Sequence, residues 1–213
     1  MQLTDVIKQR KTVKLFDRNV KIPHETLVDM LQLAQLAPSK ANLQPWRFVV
    51  LEDEQAKNQL KESVAFNGRP RESASAVFVS LADLHYEKLV EPILETAIEA
   101  GCLQPQFKQN SMNFLTGVHQ SLSEQDIRDQ VLIDTSLAAM QLMLAVKEKG
   151  YDSHAIGIFD KQEVLKRLNI DASRYVPVML LAVGKAAVPP LPSARLALEH
   201  TVAWNSGEGL NHP

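Results

Sequence analysis

Apolar positions along the chain follow two periods. Between Glu25 and Ala37, Leu27, Met30, Leu31 and Ala34 fall at i, i+3, i+4 and i+7, which predicts a helix. Pro23 suits its first turn. Val28, Leu33 and Leu36 widen the apolar stripe, so this helix is expected to be buried on most sides. Pro38 disfavours helical backbone at Ala37 and ends it. Asp5 to Gln9 reads as a shorter helix. From Thr12 the period becomes two, with Val13 and Leu15 on one face and Thr12 and Lys14 on the other. Arg47–Leu51, Ala76–Ala82 and Pro177–Val183 read as strands, the last a continuous apolar run suited to the middle of a sheet.

Between the strands the pattern predicts further helices. A polar one runs from Glu54 to Val64 with Asp53 as N-cap. Tyr86 to Ala100 is mostly helical, with Pro92 kinking it or opening its second half, and Gly101 stops it. The longest helix spans Glu124 to Lys149, opened by the Ser123/Asp126 pair and closed by Gly150. Its stretch Val131–Val146 is apolar nearly all round and is expected to be buried on all sides. A monomer of 213 residues has little room for such a helix, so a dimer interface along it is expected. Asp160, with Glu163 at N3, caps a later helix. Phe66 to Arg71 reads as a loop, and the pattern weakens from Cys102 to Leu122. There Phe107, Phe114 and His119 are candidates to line a pocket, though core packing is the expected role of the two phenylalanines. Pro189 to Pro192 leads out of the domain, and Asn205 to Pro213 reads as a frayed tail.

Composition narrows the function classes. Hydrophobic residues make up 45% of the chain and charged residues 23%, enough for one domain, residues 1–213, with a sizeable core. A net charge of -2 gives no reason to expect nucleic acid or an anionic membrane as partner. A single cysteine, Cys102, leaves no intramolecular disulfide and no cysteine-based zinc site. Histidines at 24, 85, 119, 154, 200 and 212 are scattered, and no metal site is expected. Met1–Lys8 lacks the apolar core of a signal peptide. Val131–Val146 is too short to span a bilayer and contains Asp134 and Gln141, so a soluble cytoplasmic protein is expected.

Candidate chemistry concentrates in two stretches. In Ala37-Pro38-Ser39-Lys40-Ala41-Asn42-Leu43-Gln44-Pro45-Trp46, four hydrogen-bonding side chains lie between two prolines. Asn and Gln each offer donors and an acceptor, which suits a planar, heteroatom-rich ligand such as a flavin or purine; an ordinary polar loop is the alternative. In the extended stretch Arg10 to Phe16, Arg10, Thr12 and Lys14 share one side, about 6–7 Å apart at each step. Two cations flanking a hydroxyl suit a phosphate or an electron-rich ring edge, or form a solvated basic turn.

The first stretch resembles the A-P-S-x-x-N-x-Q-P-W segment of the FMN-dependent nitroreductase family. Arg10 to Phe16 resembles that family's opening R-[RHK]-[ST]-x-[RK]-x-F, with Thr12 where serine is usual. Gly150 to Asp160 resembles G-x-D-x-x-x-I-x-G-F-D, with Ile158 in place of the second glycine, and Arg195-Leu196 resembles the terminal R-L-P. The lysine common two residues before that arginine is Ser193 here. These segments keep the family's order and spacing across nearly the whole chain. G-x-G-x-x-G, P-loop and G-x-S-x-G motifs are absent.

The resemblance implies an α+β fold, nitroreductase-like, with a mostly antiparallel central sheet wrapped by helices. It implies an intertwined homodimer in which the C-terminal arm, residues 190–213, crosses to the partner subunit. FMN would be held by Arg10, Lys11, Thr12, Lys14, Asn67 and Arg195 of one subunit and by Pro38, Ser39, Lys40 and Asn42 of the other. Ile156, Gly157 and Ile158 would address the flavin through backbone N–H groups. Arg69 and Arg71 flank Pro70, where the family carries a cation, and either is a candidate. NAD(P)H would be a transient donor, nitroaromatics or quinones the acceptors, and no side chain would be catalytic apart from the flavin. Dehalogenation or flavin fragmentation on the same fold, and a flavin-binding storage or regulatory protein, are the alternatives.

Overall fold

The structure is a computed structural model describing residues 2–64, 66–190 and 192–210. Four strands make one antiparallel sheet: β1 (Trp46–Leu51), β2 (Ala76–Asp83), β3 (Asp152–Ile156) and β4 (Tyr175–Gly184), in the order β1-β2-β4-β3. The two strands read as buried runs, β2 and β4, occupy the centre. Every residue of β2 is buried because both sheet faces are covered. On one face Phe78, Leu181 and Val183 meet Leu27 and Met30 of α2 (His24–Ala34) and Leu142 and Val146 of α7 (Glu124–Glu148). On the other, Val77, Val79 and Leu180 pack with Val13, Phe16, Leu60, Ile156 and Val164. The alternation within β2 and β4 thus fixes which helices lie on which side.

The remaining helices are α1 (Leu3–Gln9), α3 (Glu54–Asn58), α4 (Gly68–Ser73), α5 (Val90–Glu99), α6 (Lys108–Ser121) and α8 (Lys161–Arg167). Ser123 and Asp126 form the expected reciprocal cap of α7, and Asp53 and Asp160 cap α3 and α8. Gly150 follows the α7 C-cap with φ 81°, a conformation glycine adopts without penalty. Gly184 answers a different need: a Cβ there would meet the Phe16 ring at 3.0 Å.

Several local expectations need correction. Pro23 stands at the N-cap of α2 and not in its first turn. The helix expected over Glu54–Val64 stops at Asn58 and continues as turns. The Phe66–Arg71 loop gives way at Gly68 to α4, because Pro70 falls in a first helical turn, where its missing N–H costs nothing. Alternation fails at Phe16: Val13 and Phe16 are buried and Leu15 is exposed. The chain bridges to Ser153 at Thr12 and to Ala186 at Phe16, and the intervening bend changes its phase. Phe107 and Phe114 are exposed and do not pack in the core. The apolar surfaces of α2 and α7 are covered on one side only, leaving Val28, Leu33, Leu36, Ile133, Leu137 and Met140 exposed on this chain. With 25 residues, α7 is long and apolar enough to cross a membrane, because it extends beyond the apolar run; here its other face is packed on the sheet. The expected tail lies partly outside the described residues, at 211–213.

Candidate functional site

The loop between α2 and β1 is held in an unusual backbone conformation. Ala41, Asn42 and Gln44 have φ of 50°, 56° and 48°, each in the left-handed region. For residues other than glycine that costs roughly 1 kcal/mol or more apiece, so surrounding contacts must impose it. Those contacts are visible. Ser39 Oγ accepts from the Gln44 N–H at 3.0 Å, and the Arg47 guanidinium donates to the Gln44 carbonyl at 2.9 Å. Trp46 and Ala37 pack with Ala138 of α7. Asp134 of α7, 3% exposed, accepts from the Lys40 N–H at 3.3 and 3.4 Å and from Gln130 Nε2 at 3.0 Å. Burial pushes the Asp134 carboxyl above its ordinary range, against the opposing pull of the Lys40 N–H and Gln130. Pro38, Lys40 and Asn42 are left exposed and Ser39 half-buried. The loop is therefore a fixed polar platform, which an ordinary surface turn would not require.

The second set of residues lies along β3. The Val13 N–H donates to the Ser153 carbonyl at 3.1 Å, and Thr12 forms a parallel bridge to Ser153. His154 Nδ1 lies 2.9 Å from the Val13 carbonyl, so that nitrogen carries the proton and donates. Burial holds His154 below its usual pKa. These bonds pin Arg10 to Lys14 against the sheet edge, with Thr12 and Lys14 exposed and Arg10 and Lys11 half-buried. Lys14 shares a cavity of about 390 Å³ with Phe66, Asn67, Gly68, Arg69 and Glu72. Ile156, the last residue of β3, is buried, while Gly157 and Ile158 just past the strand are exposed, and a Cβ at Gly157 would meet nothing within 4 Å. No described carboxylate pairs with Arg10, Lys11, Lys14, Lys40, Arg69 or Arg195.

The fold brings Lys14 and Asn67 together and keeps both apart from the Ser39 platform. The platform leads into β1 and the Arg10–Lys14 segment lies beside β3, the two opposite edges of the sheet. Three strand spacings separate those edges, about 14 Å. Arg195 makes no described hydrogen bond to either set: it is exposed and donates to the Ala194 carbonyl at 2.8 Å. Beyond Ala187 the described arm makes hydrogen bonds only within itself, at Ala194–Arg195, across Ala197–Val202 and across Ser206–Leu210.

Two features escaped the sequence reading. Arg71 is 1% exposed and donates to the Lys57 carbonyl and to Glu72, so of the two candidate arginines only Arg69 reaches the Lys14 cavity. The buried Asp83 receives Arg174 through two bonds of 2.7 and 2.8 Å and Arg47 at 3.3 Å. Burial alone would raise its pKa, but the Arg174 bonds, the His85 N–H and both cationic charges outweigh it and hold Asp83 low. Asp83 lies 36 and 91 positions from these partners, so no local spacing signals the cluster.

Comparison with known proteins places this geometry. A model described as the nitroreductase family matches residues 7–185. The Bacillus subtilis protein named "Putative NAD(P)H nitroreductase YodC" is 41% identical over 200 residues, covering 94% of this chain and 97% of its own. The CLA biosynthesis enone reductase of Lactiplantibacillus plantarum is 34% identical, covering 91% of this chain and 89% of its own. Among solved structures, a "putative nitroreductase" in complex with FMN from Exiguobacterium sibiricum superimposes with a TM-score of 0.93 at 34% identity, over 96% of this chain and 98% of that one. With a full-length match in sequence and in fold, the chain belongs to the nitroreductase family.

Proposed function

We propose that the protein is an FMN-dependent NAD(P)H oxidoreductase that reduces nitroaromatics, quinones or similar acceptors as a cytoplasmic homodimer of single-domain subunits. The observation that carries this reading is the split of exposed polar residues between opposite sheet edges, with no described carboxylate partnering Arg10, Lys11, Lys14 or Lys40. One subunit would supply Arg10, Lys11, Thr12, Lys14 and Asn67, and the other Pro38, Ser39, Lys40 and Asn42. The exposed apolar residues Ile133, Leu137 and Met140 on α7, with Leu33 and Leu36, supply a surface for the partner. The arm, with Leu196, Leu198 and Trp204 exposed, is suited to cross over it and bring Arg195 to the phosphate.

The residues present fit FMN. Its phosphate needs cations without internal partners, and its planar ring needs room beside exposed backbone N–H groups, as at Gly157 and Ile158. When bound, FMN supplies hydride acceptance from NAD(P)H and hydride delivery to the acceptor. The chain's own part is electrostatic and positional. Lys14 stabilises negative charge at a neighbouring ring edge, and the Gly157–Ile158 backbone offers donors to a ring heteroatom. The platform's preformed geometry lowers the ordering cost of binding. A relative named as an enone reductase favours conjugated enones as a further acceptor class.

Flavin released on denaturation tests the cofactor, with FMN as the expected species. FAD, or no flavin and no uptake of added FMN, overturns the reading. Initial rates should give parallel double-reciprocal lines, since donor and acceptor use one face in turn; converging lines from a ternary complex contradict that order.

A further inference from the structure

The platform borders a second cavity, on the side facing α5. It has a volume of about 360 Å³, within the range of about 300–1,000 Å³ typical of small-molecule sites. Leu89 and Ile93, with neighbouring α5 residues, make its apolar wall, and Asn42, Gln44 and Arg47 make its polar end. Cys102 lies at its border. Among the described residues, no carboxylate lines it.

Arg47 is the distinctive group. Its Nη1 donates to the Gln44 and Trp46 carbonyls, and its Nη2 to Asp83 at 3.3 Å. A guanidinium has five N–H donors, so donors remain after these three bonds. Asp83 is already engaged by Arg174 in two shorter bonds, so Arg47 is the looser of two cations sharing one carboxylate. Its side chain is 31% exposed where Asp83 is fully enclosed. A cation in that state, with two amide side chains beside it and an apolar wall facing it, is complementary to a carboxylate on a compact apolar body.

We infer that this cavity binds small organic carboxylates, with Arg47 holding the anionic head and Leu89 and Ile93 contacting the apolar body. The site is separate from the Lys14–Asn67 cavity, and the inference does not depend on the flavin reading. Asn42 belongs to both the platform and the cavity, so a bound carboxylate adjoins the loop assigned to the cofactor.

The chain carries its own reporter. Cys102 is the single cysteine and is exposed, so its alkylation rate reads occupancy of the cavity. The purified protein is treated with iodoacetamide and followed by intact mass, with 2-naphthoate or its uncharged isostere 2-naphthamide as the probe. Naphthoate should protect Cys102 at roughly tenfold lower concentration than naphthamide, the scale of one charge-assisted bond. Ile93→Trp fills the wall without touching Asp83 and should abolish protection relative to its own ligand-free rate. Arg47→Lys should retain the preference for the acid, and Arg47→Gln should lose it. No protection by naphthoate, equal protection by the amide, or undiminished protection in Ile93→Trp would each overturn the site. Flavin content, measured on the same preparations, reports on the cofactor reading separately.

Discussion

Replacing Asp134 tests whether the platform is built for binding. In Asp134→Ala the Lys40 N–H and Gln130 Nε2 both lose their acceptor. A stranded, partly buried donor costs about 1–3 kcal/mol. Against this, the carboxylate carries a standing cost of its own, because burial raises its pKa in the folded state. The sign follows: a raised folded pKa means stability that is complete below the unfolded value of 3.8 and lost as pH rises through the folded value. Near neutral pH the ionised group therefore opposes folding, and alanine removes that opposition. The net loss should be about 1 kcal/mol in urea unfolding. FMN affinity should fall further, about tenfold or more, because Ala41 and Asn42, next to Lys40, are then free to relax from their left-handed conformations at a gain of roughly 1 kcal/mol each, while Gln44 stays held by Ser39 and Arg47. Asp134→Asn keeps an oxygen for Lys40 and discards the charge, so it should match or exceed the wild type in stability near neutral pH. Urea unfolding and fluorescence titration of the flavin-free protein measure both quantities. An alanine variant that binds FMN normally, or an asparagine variant as unstable as alanine, would refute the reasoning.

Other perturbations address other parts of the account. Leu137→Glu places a charge in the exposed stripe of α7 and should cost at least ~2 kcal/mol per dimer, since a two-fold interface meets it twice; light scattering should show monomer, and an unchanged dimer mass would contradict the interface. Arg195→Ala should weaken FMN by ~1.5–3 kcal/mol, and Ser193→Lys should tighten it; unchanged affinity in Arg195→Ala removes Arg195 from the site. His154 is held neutral by burial, with its folded pKa below the ordinary 6.5. Its contribution is complete above 6.5 and is lost as pH falls through the interval beneath it, so Tm should drop there in the wild type and much less in His154→Gln; identical profiles would place the acid sensitivity elsewhere.

Much of the fold was legible because its signals are local. The β2 and β4 runs, the Ser123/Asp126 cap and the Gly150 stop each depend on residues a few positions apart, and each stands where expected. Helix surfaces were less legible. An apolar residue reads alike whether it faces its own sheet or a second chain, so the pattern does not divide the α7 stripe between the two: Leu142 lies under the sheet, and Leu137, expected buried with a dimer interface along the helix, is exposed on the single chain. The platform is recognisable from its residue types, but its left-handed backbone is not, because the contacts that hold it include Asp134 and Ala138 of α7, more than 90 positions away. The same limit hides Asp83 and its arginines, and it leaves Arg69 and Arg71 alike in the sequence, although Arg71 is buried with its guanidinium on the Lys57 carbonyl.

The most direct measurement is anaerobic addition of NADH or NADPH to the purified protein while its visible absorption is followed. The account predicts a yellow protein whose flavin band is bleached by stoichiometric donor and restored by a nitroaromatic or quinone. A colourless protein that takes up no FMN, or a bound flavin that neither nicotinamide bleaches, would contradict it.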